Sequence, residues 1–289
     1  MNRSERLSYI SDAGTVEFST RKSVTPYWWN TEDGLTALGI NIYSSKGPEQ
    51  DGETYISHDL PARPITIEGQ ISKNAEANRR KLLSLVNPKY DGRLVYTSGS
   101  FIAYIPCRTK SMPRFSRGIF PNFQMDFWCP SPYWRKGDGS TPNRADIALW
   151  LPMLEFPVEI PEEGMELEVR SPSLIIDVLN DGDIDAGMTA VFKATAATSN
   201  PSLVNVQTQE TLSLTINMEA GDEIRVKTGY GEKGAWLTRN GVTTNIFNTV
   251  DDTSTWMQIH PGDNLIRYDA TVTDNILVTI YYEEYLLGV

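Results

Sequence analysis

The sequence predicts a mainly β protein in two domains: an N-terminal β-rich domain with one α-helix, residues 1–145, and a C-terminal β-sandwich of jelly-roll type, residues 146–289. Three observations carry this. Apolar residues recur at every second position in many short runs, the period of a half-buried strand. Turn-forming clusters separate those runs at short, regular spacing. Charge is also unevenly divided: residues 1–145 hold 19 Lys and Arg against 14 Asp and Glu, a net of +5, and residues 146–289 hold 7 against 23, a net of −16. Such asymmetry marks a domain boundary.

In the first half, strands are expected near 15–20, 37–44, 64–72, 92–97, 100–110 and 119–129. Ile65, Ile67, Gly69 and Ile71 alternate with Thr66, Glu68 and Gln70, and Phe123, Met125, Phe127 and Cys129 alternate with Gln124, Asp126 and Trp128. Pro130 and Pro132 end the last of these strands, because proline supplies no N–H to a sheet. Gly47 to Gly52 is a turn or loop by composition. The pattern predicts one helix over 74–86, capped by Ser72 or Asn74, closed by Pro88, and striped by Leu82, Leu83 and Val86. The simplest arrangement is that helix on a mostly antiparallel sheet.

The second half reads as strands throughout: Glu166–Arg170, Thr211–Ile216, Glu223–Lys227 and Ile276–Tyr282, the last apolar on both faces and therefore central. Asn180-Asp181-Gly182, Ala220-Gly221-Asp222, Asn240-Gly241 and Pro261-Gly262-Asp263-Asn264 supply the turns. No apolar run approaches the roughly 20 residues of a membrane span, and Met1 to Arg6 lead into no apolar signal segment. Two cysteines are too few for a disulfide scaffold, and Cys129 reads as a small core residue. A half at −16 is a poor ligand for nucleic acid or anionic lipid. These features fit synthesis in a reducing cytoplasm.

The strand running into Cys129-Pro130-Ser131-Pro132-Tyr133-Trp134 resembles the boundary segment of the siphophage distal tail proteins. Further matches follow in order: Asn180 to Gly187 leading into Val191-Phe192-Lys193-Ala194, Asn200 to Asn205, Gly221 to Val226, Trp256 to Ile266, and the terminal Tyr281 to Val289. Each is largely turn chemistry, and their order carries the resemblance. It implies a phage or prophage virion protein of the tail tip or baseplate, made in the host bacterial cytoplasm. The N-terminal domain would close a homohexameric ring, and the C-terminal sandwich would be galectin-like. The implied partners are the tail tube protein and the tail-associated hub, with DNA passing through the lumen without specific binding and no membrane involved. Residues 1–35 show little that matches, and Tyr27-Trp28-Trp29 reads as an embellishment.

No catalytic, cofactor or metal residues are proposed from the sequence. His58 and His260 lie in different halves, without a nucleophile motif beside them. Asp181, Asp183 and Asp185 have the alternate spacing of a calcium loop, but Phe192 stands where the bidentate glutamate belongs. Glu162-Glu163 and Glu283-Glu284 are adjacent pairs, and glycoside hydrolysis needs two carboxyls facing each other across a cleft. The alternative function is a carbohydrate-binding module for host cell-wall glycans, using Trp236 and Tyr230 as a stacking platform, with Trp256 assigned to the core.

Overall fold

A computed structural model describes residues 5–147, 150–152, 168–170 and 174–289. Two compact units result: Met1–Thr141 with Tyr285–Val289, and Pro142–Glu284. The first division falls four residues before the expected 145, and the last five residues count with the N-terminal unit. Their strand, Tyr285–Leu286, pairs with Trp134–Lys136, a short strand whose edge is otherwise open on that side.

The first unit holds β1 (Glu5–Ser11), β2 (Gly14–Ser19), β3 (Tyr27–Asp33), β4 (Asn41–Ser45), β5 (Thr54–Asp59), β6 (Arg63–Ile71), α1 (Ala75–Leu85), β7 (Gly92–Ser98), β8 (Phe101–Thr109), β9 (Arg114–Phe115), β10 (Asn122–Cys129) and β11 (Trp134–Lys136). The expected strands near 15–20, 64–72, 92–97, 100–110 and 119–129 are β2, β6, β7, β8 and β10. The mostly antiparallel sheet closes on itself. The order β8-β7-β1-β2-β3-β6-β10 returns to β8 through Phe127↔Thr109 and Trp128↔Arg108, making a closed seven-stranded barrel. Closure leaves no long edge for unwanted pairing.

The barrel core explains the alternation strand by strand. Leu7 and Tyr9 of β1, Val16 and Phe18 of β2, Ile65, Ile67 and Ile71 of β6, and Phe123, Met125 and Phe127 of β10 are all buried in one cluster. Tyr27 and Trp29 of β3 belong to it as well, so the segment read as an embellishment is a core strand. Its neighbours Pro26 and Thr31 to Asp33 hide the pattern, and a register shift between Trp29 and Thr31 breaks the period. Gly69 is required inside: an added Cβ would stand 2.5 Å from Cζ of Phe123 and 2.2 Å from the carbonyl oxygen of Trp28.

Cys129 is buried, as expected of a core residue, and so is Cys107. One step along the β8–β10 ladder from Trp128↔Arg108 sets the two opposite each other. The hydrogen bond with Cys129, and then burial, push the Cys107 thiol far up. Helix α1 lies against β2 and β6 and drives Leu82 and Val86 into the same core, each contributing about 1.5–3 kcal/mol. Asn74 is its N-cap, in left-handed geometry and without a side-chain cap bond, so neither Asn74 nor Ser72 caps through its side chain.

The second unit holds β12 (Asn143–Asp146), β13 (Trp150–Pro152), β14 (Glu168–Arg170), β15 (Ile175–Asn180), β16 (Ala186–Ala194), β17 (Thr198–Ser199), β18 (Ser202–Asn205), β19 (Thr211–Ser213), β20 (Asn217–Met218), β21 (Glu223–Lys227), β22 (Gly234–Arg239), β23 (Val242–Asn245), β24 (Gln258–Ile259), β25 (Gly262–Asp269) and β26 (Ile276–Tyr282). One sheet runs β12-β26-β16-β21-β22-β23 with β24 on β16, and a second runs β15-β25-β18-β19. Strand β26 is central, as its composition predicts. Asn240 and Gly241 both have positive φ, 52° and 77°, in the tight turn joining β22 to β23. Residues 166–167 of the expected strand lie outside the described residues.

Candidate functional site

The boundary segment is held by a buried cation. Arg63 opens β6 and is fully buried. Its Nε donates to the carbonyl of Pro132 at 2.7 Å, and Nη1 donates to those of Gly34 and Leu35 at 2.8 and 2.9 Å. Nη2 donates to the carbonyl of Leu287. Burial lowers the guanidinium pKa, and main-chain carbonyl dipoles take the place of water around it. Buried Trp134 donates its indole N–H to Leu35 at 3.2 Å, and Tyr133 stacks on Tyr285 with centroids 5.9 Å apart. The Cys-Pro-Ser-Pro-Tyr-Trp run thus has a structural role: it presents one carbonyl and one indole to a clasp that also grips the chain terminus.

One exposed apolar surface in the first unit is the ribbon β4–β5. Every residue of both strands is exposed, including Ile42 at 68% and Ile56 at 62%. Ile42 and Tyr43 are neighbours on a strand, so their side chains leave opposite faces. Among the described residues, the ribbon pairs only with itself. A lone two-stranded ribbon is marginal in water. A second apolar projection is the loop before β10, with Ile119 at 83% and Phe120 at 56% exposed. The expected strand over 37–44 is β4 at Asn41–Ser45, and the expected loop over 47–52 is its turn, whereas β5 and this surface are not foreseen by the pattern. Its available signal was apolar residues on successive positions, Ile42-Tyr43 and Tyr55-Ile56, beside a Gly-rich turn.

In the second unit, Tyr230 is 83% exposed and Trp236 is half-buried on the outward positions of β22. Trp236 folds over Gly234, where an added Cβ would stand 2.4 Å from Cη2. Lys233 Nζ lies 5.4 Å from the Tyr230 ring centroid and 5.8 Å from that of Trp256. Trp256 is not a core residue: it is half-buried and stacked on Phe247 at 5.4 Å. The strand alternation that assigned it inward does not apply, because β24 begins only at Gln258, and Met257 fills the interior instead.

The titratable groups gather in one place of note. His260 Nδ1 lies 2.8 Å from Asp185, and Nε2 lies 3.5 Å from Glu210. The Asp185 bond, followed by Glu210, raises the imidazole pKa above its ordinary value. His58 is far along the chain in the β4–β5 ribbon, hydrogen-bonded to Tyr55. Glu284 is buried and Glu283 half-buried, and Glu162-Glu163 lies outside the described residues. Among the described residues, no group of three or more His, Cys, Asp or Glu is placed to hold a metal ion, and no helix is long and apolar enough to cross a membrane.

Residues 181–285 match the siphovirus-type tail component, C-terminal domain. The fold is similar to that of the Dit protein of phage SPP1, described as a paradigm of the hub adsorption apparatus in phages infecting Gram-positive hosts. That likeness has a TM-score of 0.63 at 13% identity and covers 96% of this chain and 98% of the other. A chain of the phage P2 baseplate in its activated conformation with Ca is also similar, at a TM-score of 0.52 and 10% identity over the whole of both chains. No curated protein matches the chain in sequence. Over 181–285 the second unit thus resembles the C-terminal domain of siphovirus-type tail components, and the fold of the chain resembles that of Dit.

Proposed function

We propose that this protein is a structural ring component of the virion: a homohexamer at the distal end of the tail that joins the tail tube to the tip or baseplate hub. The first unit closes the ring, DNA passes through the lumen without specific binding, and the second unit is a galectin-like sandwich. Synthesis takes place in the host cytoplasm, and no catalytic residue is assigned. The observation that carries this reading is where apolar surface is left uncovered. Among the described residues, 14 of the 21 large exposed hydrophobics lie in the first unit, five of them at Ile40, Ile42, Tyr43, Tyr55 and Ile56 in and beside the β4–β5 ribbon. Exposed apolar surface of this extent marks an interface, and a contact between unlike patches of one chain closes rings. Light scattering over a concentration series, with negative-stain microscopy, tests it. Six copies of 32.4 kDa, about 194 kDa, in ring-shaped particles are expected. A monomer at every concentration would count against it.

A second reading is glycan binding by the second unit. Exposed Tyr230, half-buried Trp236 and Trp256, and Lys233 set between two rings supply faces for sugar stacking and a donor for hydroxyls. Binding to cell-wall glycans that Trp236→Ala and Tyr230→Ala both remove supports it. Retention of binding by both variants rejects it.

A further inference from the structure

We propose that the β4–β5 ribbon of one protomer docks on the loop 110–121 of a second copy of this chain. This rests on the ring reading above and specifies its contact. The two surfaces are complementary in charge as well as apolar. Residues 40–60 carry Glu49, Asp51, Glu53 and Asp59 against Lys46, a net of −3. Residues 110–121 carry Lys110, Arg114 and Arg117 and no acidic residue, a net of +3.

The loop is built to be a receiving surface. Pro113 and Pro121 are buried at its two ends, and Phe115 packs against the barrel core from β9. Arg79 of α1 stands over the Phe115 ring at 5.0 Å, which adds a fourth cation to the same side. Anchored in this way, the tip holds Ile119 and Phe120 in solvent between Arg117 and the β10 strand. A cleft of about 350 Å³ opens at the loop base, lined by Asn30, Glu68, Arg114, Phe115 and Gln124 among others. That size falls within the range of pockets that take side chains or small ligands, roughly 300–1,000 Å³. Arg114 is only loosely engaged within its own chain, 3.9 Å from Asp126 and largely exposed.

The ribbon is built to be the inserting element. Tyr43 pairs with Ser57 and Ser44 with Tyr55, so Ile56 is the extra, unpaired residue of a bulge. Bulges bend and twist a ribbon and re-aim its side chains. Apolar residues leave both faces, and the acidic residues Glu49, Asp51 and Glu53 cluster at and just after its tip. Ribbon and loop are different patches on one unit, so their contact is head-to-tail, the kind that closes a ring or extends a filament. Opposed charge steers such an encounter and fixes its register.

Charge reversal tests the pairing. Glu49→Lys/Asp51→Lys/Glu53→Lys gives a chain with ribbon and loop both basic, and Arg114→Glu/Arg117→Glu gives one with both acidic. Each variant alone is expected to need about tenfold or more higher concentration to assemble, read by light scattering at physiological salt. Mixed one to one, they are expected to recover assemblies of wild-type mass, because each ribbon then meets an opposite loop. A misfolded variant could not be rescued in this way. Wild-type assembly by either variant alone, or a mixture no better than its parts, overturns the contact and leaves the ring reading standing. A wild-type chain that stays monomeric overturns both.

Discussion

Arg63 and Trp134 share an acceptor: the carbonyl of Leu35 takes Nη1 of the guanidinium at 2.9 Å and the indole N–H at 3.2 Å. Val289 adds its backbone N–H to the same oxygen at 3.4 Å. One main-chain carbonyl therefore ties β6, the strand after the paired prolines and the chain terminus into a single unit. A fully buried cation here is held by carbonyl dipoles from three separate segments. Arginine suits the position because its planar fork places several donors in fixed directions, which a lysine ammonium on a flexible stem does not.

Arg63→Met is expected to lower the stability of the first unit by about 3 kcal/mol or more, since several buried carbonyls lose their donor at about 1–3 kcal/mol each. Arg63→Lys should recover only part of it. Urea unfolding followed by tryptophan fluorescence measures both, and a midpoint unchanged in Arg63→Met would refute the clasp.

Gly69→Ala should destabilise the barrel by about 1–3 kcal/mol, the usual range for overpacking. Its methyl group meets Phe123 and the Trp28 carbonyl at distances that atoms do not tolerate. Pairing it with Phe123→Leu, which withdraws the ring, should return part of the loss. Additive losses in the double variant would mean that the ring is not the obstacle.

His260 sets a pH dependence of known sign. Its folded-state pKa is raised, chiefly by Asp185, above the ordinary value of 6.5. The stabilisation is therefore complete below about pH 6.5 and is lost as pH rises through the folded-state value. Asp185→Asn should move the imidazole titration back toward its ordinary midpoint, read by NMR of the His260 ring protons. His260→Gln should flatten the change in thermal midpoint between mildly acidic and mildly alkaline buffer.

Asp222 works in the opposite direction. Nearly buried, it takes Arg239 Nε at 2.9 and 3.1 Å and Nη2 at 2.5 Å, and it accepts the Glu219 N–H at 2.8 Å. The bond from Arg239 leads in depressing its pKa below the ordinary 3.8. Its contribution is present above that value and disappears as pH falls through the lower folded-state one. Asp222→Ala should cost about 2–3 kcal/mol at neutral pH and reduce the sensitivity of the second unit to acid. An Asp222→Ala chain with wild-type stability at pH 7 would contradict the assignment.

What the sequence by itself determined is local. Period-two alternation located β6, β10 and β21, because each has one face against a core, and a run apolar on both faces located β26. The helix could be read from its apolar stripe and from Pro88. The turn at Asn240-Gly241 could be read because few residues other than Gly and Asn accept positive φ. The ordered turn motifs beyond residue 180 carry the resemblance to siphovirus-type tail components for the same reason, since a tight turn restricts residue type wherever it occurs.

Partnership was decided only by the tertiary structure. That β10 reaches β8 and closes a barrel depends on a pairing whose strength is spread over many distant residues, none of which must be of one type. Tyr27 and Trp29 gave no clear strand signal because their strand is bulged and ends in acidic residues, and the packing of the whole barrel assigns them inward. The terminal Tyr285–Leu286 pair is too short to show a period at all, and only the open side of β11 and the reach of Arg63 give it a place. The ribbon β4–β5 was partly legible as a strand, but its exposure was not. Burial belongs to the assembled surface around a residue, and an apolar side chain in sequence looks the same whether its own chain covers it or another copy does.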